Sequence, residues 1–213
     1  VPPGQSFAFV GRTGSGKTTF ISLLQRFYNA PENSIFIDDI DITKLKREQL
    51  RRHIGVVQQD NFIFRGTLKE NVTLLNPEIT DASVLSALDK VGYLKLLKRS
   101  NRDLNTKIEE RGANLSAGER QLIAFARILV FQPDILILDE ATANIDSESE
   151  SLIQNATIEV TKGRTSLIIA HRLSTIRHCE QIIVLENGKI RERGSHQELL
   201  NLNGLYAHQV AEA

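Results

Sequence analysis

The 213-residue chain has no methionine, no tryptophan and a single cysteine, Cys179. One thiol cannot close an intrachain disulfide, which fits a reducing compartment. No apolar run approaches the ~20 residues of a membrane helix; the longest, such as "ILIL" and "LII", have strand length. Neither sign of charge is in excess, with Lys+Arg and Asp+Glu at 26 each, so no net field draws the chain onto nucleic acid or anionic lipid. Without methionine, Val1 is not a retained initiator, and the opening "VPPGQ", a turn leading into a strand, is expected of a piece of something longer. What remains is ordinary: 41% apolar and 24% charged, enough for one good-sized domain or two intimate subdomains.

Along the chain, strand and helix patterns alternate as in α/β architecture. "SFAFVG" reads as a buried strand, and a glycine turn feeds a helix from Lys17 to about Tyr28. "SIFID" (Ser34–Asp38) reads as a second strand, followed by a helix at "REQLRRHI" and a strand at "GVVQQ". From about Thr67 to Lys98 apolar residues recur at three- and four-residue spacing, which predicts a mainly helical insertion. "QLIAFARILV" is a helix started by a Ser116/Glu119 capping box. "DILILDE", the most apolar strand, is expected at the centre of a parallel sheet. The helix "SESESLIQNATIEV" and the strand "TSLIIA" follow, then an Asn-Gly hairpin over "QIIVLENGKIRERG". Ser195 and Glu198 cap one C-terminal helix.

"GRTGSGKT" (Gly11–Thr18) fits G-x-x-x-x-G-K-[ST] between a strand and a helix. Its glycines let backbone N–H groups and the helix N-terminus face phosphates. Lys17 is placed to reach the β- and γ-phosphates and the Thr18 hydroxyl to ligate Mg²⁺. "ILILDE" ends in two acids, costly to bury without a counter-ion. At a strand end beside a phosphate loop, Asp139 suits a Mg²⁺ ligand and Glu140 the general base for an attacking water. His171 ends the strand "SLIIA" on the edge where ligands of open α/β sheets collect, with its ring available to the γ-phosphate. Gln59, after "GVVQ", is a candidate for Mg²⁺ or the attacking water, with Gln58 as its rival.

"GRTGSGKTT", "VVQQD", "LSAGERQ", "ILILDEATANID" and "IIAHRLSTI", in this order, resemble the nucleotide-binding domain of an ATP-binding cassette (ABC) transporter across essentially the whole chain. "LLQRFY", "TKIEERGANLSAGERQ" and "AHRLSTI" look most like the multidrug and lipid exporter branch of half-transporters. The resemblance implies a P-loop NTPase core with a mainly parallel sheet, N-terminal antiparallel strands partly truncated, and a helical subdomain over roughly 62–128 within a RecA-like remainder. It implies ATP and Mg²⁺, with ATP held by Gly11, Thr13, Gly14, Ser15, Gly16, Lys17, Thr18 and Thr19, and Mg²⁺ by Thr18, Gln59 and Asp139. Glu140, His171 and Gln59 are then the catalytic set. Two such domains pack head to tail in this family. Ser116 and the backbone of Gly118 therefore serve the γ-phosphate held by a second domain, identical or different, and Asp146 lies along that interface. A transmembrane domain is expected upstream, contacted near Gln59 and Glu110, with the chain on the cytoplasmic face of a membrane, the bacterial inner membrane by branch. The aromatic residue that stacks on adenine in this family is expected upstream too, because Phe7 and Phe9 belong to the strand.

Three positions depart from the commonest pattern. Ala117 replaces a signature glycine, "ANID" replaces an "ALD"-type ending while keeping Asp146, and Glu119 replaces a glutamine. A carboxylate at Glu119 suits its own helix start, yet repels an approaching triphosphate unless it faces away. Rival readings explain less. A soluble P-loop kinase or GTPase accounts for the glycine loop but not for "LSAGERQ" with "LDEATANID". A chromosome-maintenance or DNA-repair ATPase head carries a long heptad insertion that is absent, and neutral charge argues against nucleic acid. Intact Lys17, Asp139, Glu140 and His171 argue against a non-catalytic regulatory cassette.

Overall fold

Strand β1 (Ser6–Val10) buries four consecutive side chains, Phe7 to Val10, and so needs cover on both faces. The computed structural model describes residues 1–58, 60–139, 147–169 and 173–211, with backbone alone for 147, 148 and 174. After β1, the loop of Gly11–Gly16 enters α1 (Lys17–Leu24), which stops short of Tyr28 because Arg26 turns left-handed at φ 53°. The strand expected over Ser34–Asp38 shrinks to β2 (Phe36–Ile37), paired only with β3 (Ile40–Asp41) and not with the main sheet. Asp38 and Asp39, at φ 47° and 64°, reverse the chain there before a longer strand can form. Next come α2 (Arg47–His53) and β4 (Ile54–Val57).

The helical insertion opens on β5 (Gly66–Thr67) and runs through α3 (Leu68–Thr73), α4 (Asp81–Lys90) and α5 (Tyr93–Arg99). β6 (Lys107–Ile108) then pairs antiparallel with β5. Thr67 and Thr80 cap α3 and α4 by accepting from backbone N–H groups three residues on. There follow α6 (Ala117–Phe131), β7 (Ile135–Asp139), α7 (Ser147–Thr161) and β8 (Thr165–Ile169). The chain finishes with α8 (Leu173–Ile176), β9 (Gln181–Glu186), β10 (Lys189–Gly194), α9 (His196–Asn201) and α10 (Leu205–Ala211). The single C-terminal helix expected after Ser195 is thus two, broken where Asn203 takes φ 50°.

The main sheet has the order β10-β9-β1-β8-β7-β4. β1 runs parallel to both β8 and β9, and β7 runs parallel to β8; β10 returns antiparallel to β9 through Asn187–Gly188, both at positive φ as a type I′ turn requires. The most apolar strand, β7, does not take the centre, which belongs to β1 and β8; it lies between β8 and β4. Leu136, Ile137 and Leu138 are still at most 1% exposed. An apolar run reports cover on both faces, not rank within a sheet. The register pairs Ile169 with both Phe9 and Asp139, so the C-terminal ends of β1, β7 and β8 finish level.

The chain divides into two compact units. One comprises Val1–Val56, Pro133–Glu140 and Gly163–Ala213 and is built on the main sheet; the other comprises Val57–Gln132 and Ala141–Lys162. The second unit is mainly helical, and α6 is its spine, with Leu122, Ile123, Phe125 and Ala126 fully buried. Among the described residues no helix is long and apolar enough to cross a membrane.

Candidate functional site

The loop after β1 is shaped by its glycines. Gly11, Gly14 and Gly16 have φ of 149°, 82° and 106°. A Cβ on Gly11 would stand 2.2 Å from the Leu185 carbonyl oxygen, so β9 presses the loop there. The hairpin turn supports it as well, since Gly188 N–H donates to the Ser15 carbonyl at 3.0 Å. Gly14 has nothing within 4 Å of an added Cβ, leaving that side of the loop open.

Helix α1 starts at Gly16 without a side-chain cap and without an acid in its first turn. The first N–H groups of any α-helix have no intrahelical acceptor, so they are available to an anion. Lys17, the first residue of α1, is 8% exposed, with its ammonium donating to the carbonyl oxygens of Gly11 (2.6 Å) and Arg12 (3.1 Å) and to Ser15 Oγ (3.3 Å). Burial pushes the Lys17 pKa down, and the nearby Asp139 carboxylate opposes that shift. Thr13, Gly14, Thr18 and Thr19 are exposed around it.

Asp139 ends β7 at the level where β1 and β8 end. Thr18, exposed in the first turn of α1, and Asp139, at the end of β7, belong to the same unit. Among the described residues no three His, Cys, Asp or Glu side chains gather as a metal cage. A Mg²⁺ ion shared with phosphates needs none, because one or two protein oxygens and water suffice. Gln59, Glu140, Asp146 and His171 lie outside the described residues. Gln58, the rival of Gln59, is described and exposed after β4.

The second candidate anion site is the start of α6, in the other unit. Ser116 is the N-cap: its Oγ accepts from Glu119 N–H at 3.1 Å, and Ser116 N–H donates to Glu119 Oε2 at 2.8 Å. The Glu119 carboxylate is turned back onto its own helix, where Arg102 Nη2 lies 2.8 Å from Oε1 and the Tyr93 hydroxyl donates to the same oxygen at 3.3 Å. Tyr93 is 1% exposed, and burial together with the Glu119 charge raises its pKa, so the phenol keeps its proton as donor. Ser116 and Ala117 remain exposed. Gly118 is buried because α7 lies against it: a Cβ there would stand 2.7 Å from Ser149 Cβ.

Sequence reasoning missed a polar brace in this unit. Asn71 is fully buried; its amide exchanges hydrogen bonds with Phe64 N–H (3.1 Å) and Phe64 O (2.9 Å). From α6, Arg127 donates to the carbonyls of Asn71 and Phe62, each at 2.7 Å. Burial pushes the Arg127 pKa down to about 10. The only sequence signal was an arginine inside an apolar helix.

The chain's similarities agree with this geometry. A family model described as "ABC transporter" matches residues 1–143. The probable multidrug resistance ABC transporter ATP-binding/permease protein YheH of Bacillus subtilis is 50% identical over 203 residues, 95% of this chain and 30% of that protein. A putative multidrug export ATP-binding/permease protein of Staphylococcus aureus is 45% identical over 208 residues, 98% of this chain and 36% of that protein. A solved structure of a bacterial Atm1-family ABC exporter with ATP bound superposes with a TM-score of 0.90 at 39% identity, over 100% of this chain and 37% of that one. The chain spans about a third of the length of the curated relatives it matches. Loop, sheet order and sequence kinship lead to one assignment: the chain belongs to the ABC transporter family, as an ATP-hydrolysing nucleotide-binding domain.

Proposed function

We propose that this domain is the motor of an exporter, binding Mg²⁺-ATP at Gly11–Thr19 and closing head to tail on a second nucleotide-binding domain. The observation that carries the reading is the loop itself, with a helix start free of any side-chain cap and a buried lysine whose ammonium is held on the loop carbonyls. Its N–H groups and Lys17 hold the β- and γ-phosphates. Thr18, Asp139 and Gln59 hold Mg²⁺, which neutralises phosphate charge when bound. Glu140 takes the proton of the attacking water, Gln59 orients that water, and His171 donates to the γ-phosphate. Ser116 Oγ and Gly118 N–H donate to the γ-phosphate held by the partner, and Asp146 lines the same interface.

The γ-phosphate is what a closed pair shares and what ADP no longer supplies. A hydrogen bond to a charged group contributes about 1.5–3 kcal/mol. Two or three such bonds at each of two sites shift association by several orders of magnitude, at about 1.4 kcal/mol per tenfold. Hydrolysis therefore reopens the pair, and that motion drives membrane-spanning helices contacted near Gln59, Glu110 and the helical unit, taken as the subdomain of roughly 62–128. The domain then works at the cytoplasmic face of a membrane, the bacterial inner membrane by branch resemblance.

Sedimentation of the Glu140→Gln variant tests the reading. Mg²⁺-ATP should produce a dimer where Mg²⁺-ADP does not, and adding Lys17→Ala should abolish it. A variant that binds ATP yet stays monomeric points to a different chain as the partner, or to an upstream segment that the interface needs in order to close. A variant that binds no ATP overturns the reading.

A further inference from the structure

Glu119 puts a negative charge at the third position of α6, three residues from the serine proposed to meet a partner's γ-phosphate. The side chain is 12% exposed and its two oxygens are taken: Oε2 by Ser116 N–H, Oε1 by the Tyr93 hydroxyl and the Arg102 guanidinium. Both outside contacts come from one short helix and the turn after it. Tyr93 is the first residue of α5, and Arg102 follows its end. Arg102 is itself aimed, with Nε donating to Ser100 Oγ at 2.7 Å while that hydroxyl donates to the Leu96 carbonyl at 2.8 Å. The carboxylate is therefore fixed in direction and matched in charge.

We propose that Arg102 is a positioning residue for the signature turn. It holds the Glu119 carboxylate on the helix's own first turn and cancels its charge, so that Ser116 faces a triphosphate without a competing anion. The inference rests on the reading that Ser116 serves a nucleotide held by a partner domain. Its physical content is a charge balance: removal of the cation leaves Glu119 free to swing outward and to repel phosphate, whereas removal of both charges leaves neither fault. The neutral amide of a glutamine can still accept from Ser116 N–H and complete the capping box. Arg102 thus has a task only while position 119 is acidic.

The test compares wild type, Ser116→Ala, Arg102→Ala and Arg102→Ala combined with Glu119→Gln. Three quantities are read: ATP-driven association, with Glu140→Gln added to each variant so that hydrolysis does not reopen the pair, ATP hydrolysis without it, and amide exchange at Ser116. Arg102→Ala should weaken association about tenfold at low salt, and less near 1 M, where the screening length falls to about 3 Å. It should also speed Ser116 amide exchange, because the acceptor of that N–H is no longer pinned. Adding Glu119→Gln should restore association. Failure of that rescue overturns charge cancellation, and unchanged exchange and association in Arg102→Ala overturn the whole assignment. A normal Ser116→Ala variant would instead sink the reading on which it rests.

Discussion

Gly11 and Gly14 are equivalent letters in "GRTGSGKT", but their surroundings assign them different tasks. At Gly11 an added methyl meets backbone, the Leu185 carbonyl at 2.2 Å, with Ser15 Oγ at 2.8 Å. Backbone in a paired strand cannot step aside as a side chain can. At Gly14 there is open space, and only the left-handed φ of 82° stands against a side chain. Gly14→Ala should therefore cost about 1–2 kcal/mol, the left-handed penalty for a residue with a Cβ. Gly11→Ala should cost more, about 3 kcal/mol, because overpacking adds to strain. Urea unfolding of the two variants checks the order, and equal midpoints would mean that β9 yields to the loop. Gly11→Ala should also weaken ATP binding, since the loop can relieve the collision only by opening.

Among the elements, the packing of α6 on α7 decides what the signature turn tolerates. Ala117 is exposed and carries its methyl freely, whereas Gly118 faces Ser149 Cβ at 2.7 Å and Ser149 Oγ at 2.9 Å. Alanine is preferred over glycine in helices by about 1 kcal/mol, and a fixed collision of this kind costs about 1–3 kcal/mol. The collision wins, so Gly118→Ala should destabilise the protein. In a Ser149→Gly background the colliding atoms are gone, and the same substitution should stabilise. A double-mutant cycle in urea reads that change of sign; loss of stability in both backgrounds would place the constraint elsewhere. This constraint was illegible in the sequence, where Gly118 stands out only as a signature glycine. The Ser116 and Ser195 caps, the Asn187–Gly188 hairpin and the strand–loop–helix at Gly11 were legible, because each is settled within a few residues. Sheet rank was not: β7 is the most apolar strand, yet the centre goes to β1 and β8. The Arg102–Glu119 pair and the Arg127–Asn71 brace were equally hidden, since they join residues that only tertiary folding brings together. The family resemblance raises the repulsion that Glu119 would exert on a triphosphate unless it faces away, and only folding places the Arg102 cation beside it.

On the scale of the whole molecule, the phosphate loop, its buttress and the only thiol all belong to the sheet-bearing unit. Cys179 is 7% exposed, its N–H donates to the Ile176 carbonyl at 3.1 Å, and the next residue, Glu180, donates to the Ser6 carbonyl at the start of β1. β9 begins at Gln181 and runs on to Leu185, the residue that presses on Gly11. Reaching the thiol through the β1–β9 pairing therefore loosens the strand that shapes the loop. A ligand bound only to the closed loop suppresses such opening by a factor of one plus the ratio of its free concentration to its Kd, about 100-fold, or about 2.7 kcal/mol, at one hundred times its Kd. Mg²⁺-ATP at that concentration should slow labelling of Cys179 by about this factor, and the Lys17→Ala variant should show no protection. With one thiol in the chain the rate has one source. If labelling ignores nucleotide in the wild type, the thiol is reached by fraying of α8 and its turn alone, and the loop and β9 open independently of that corner.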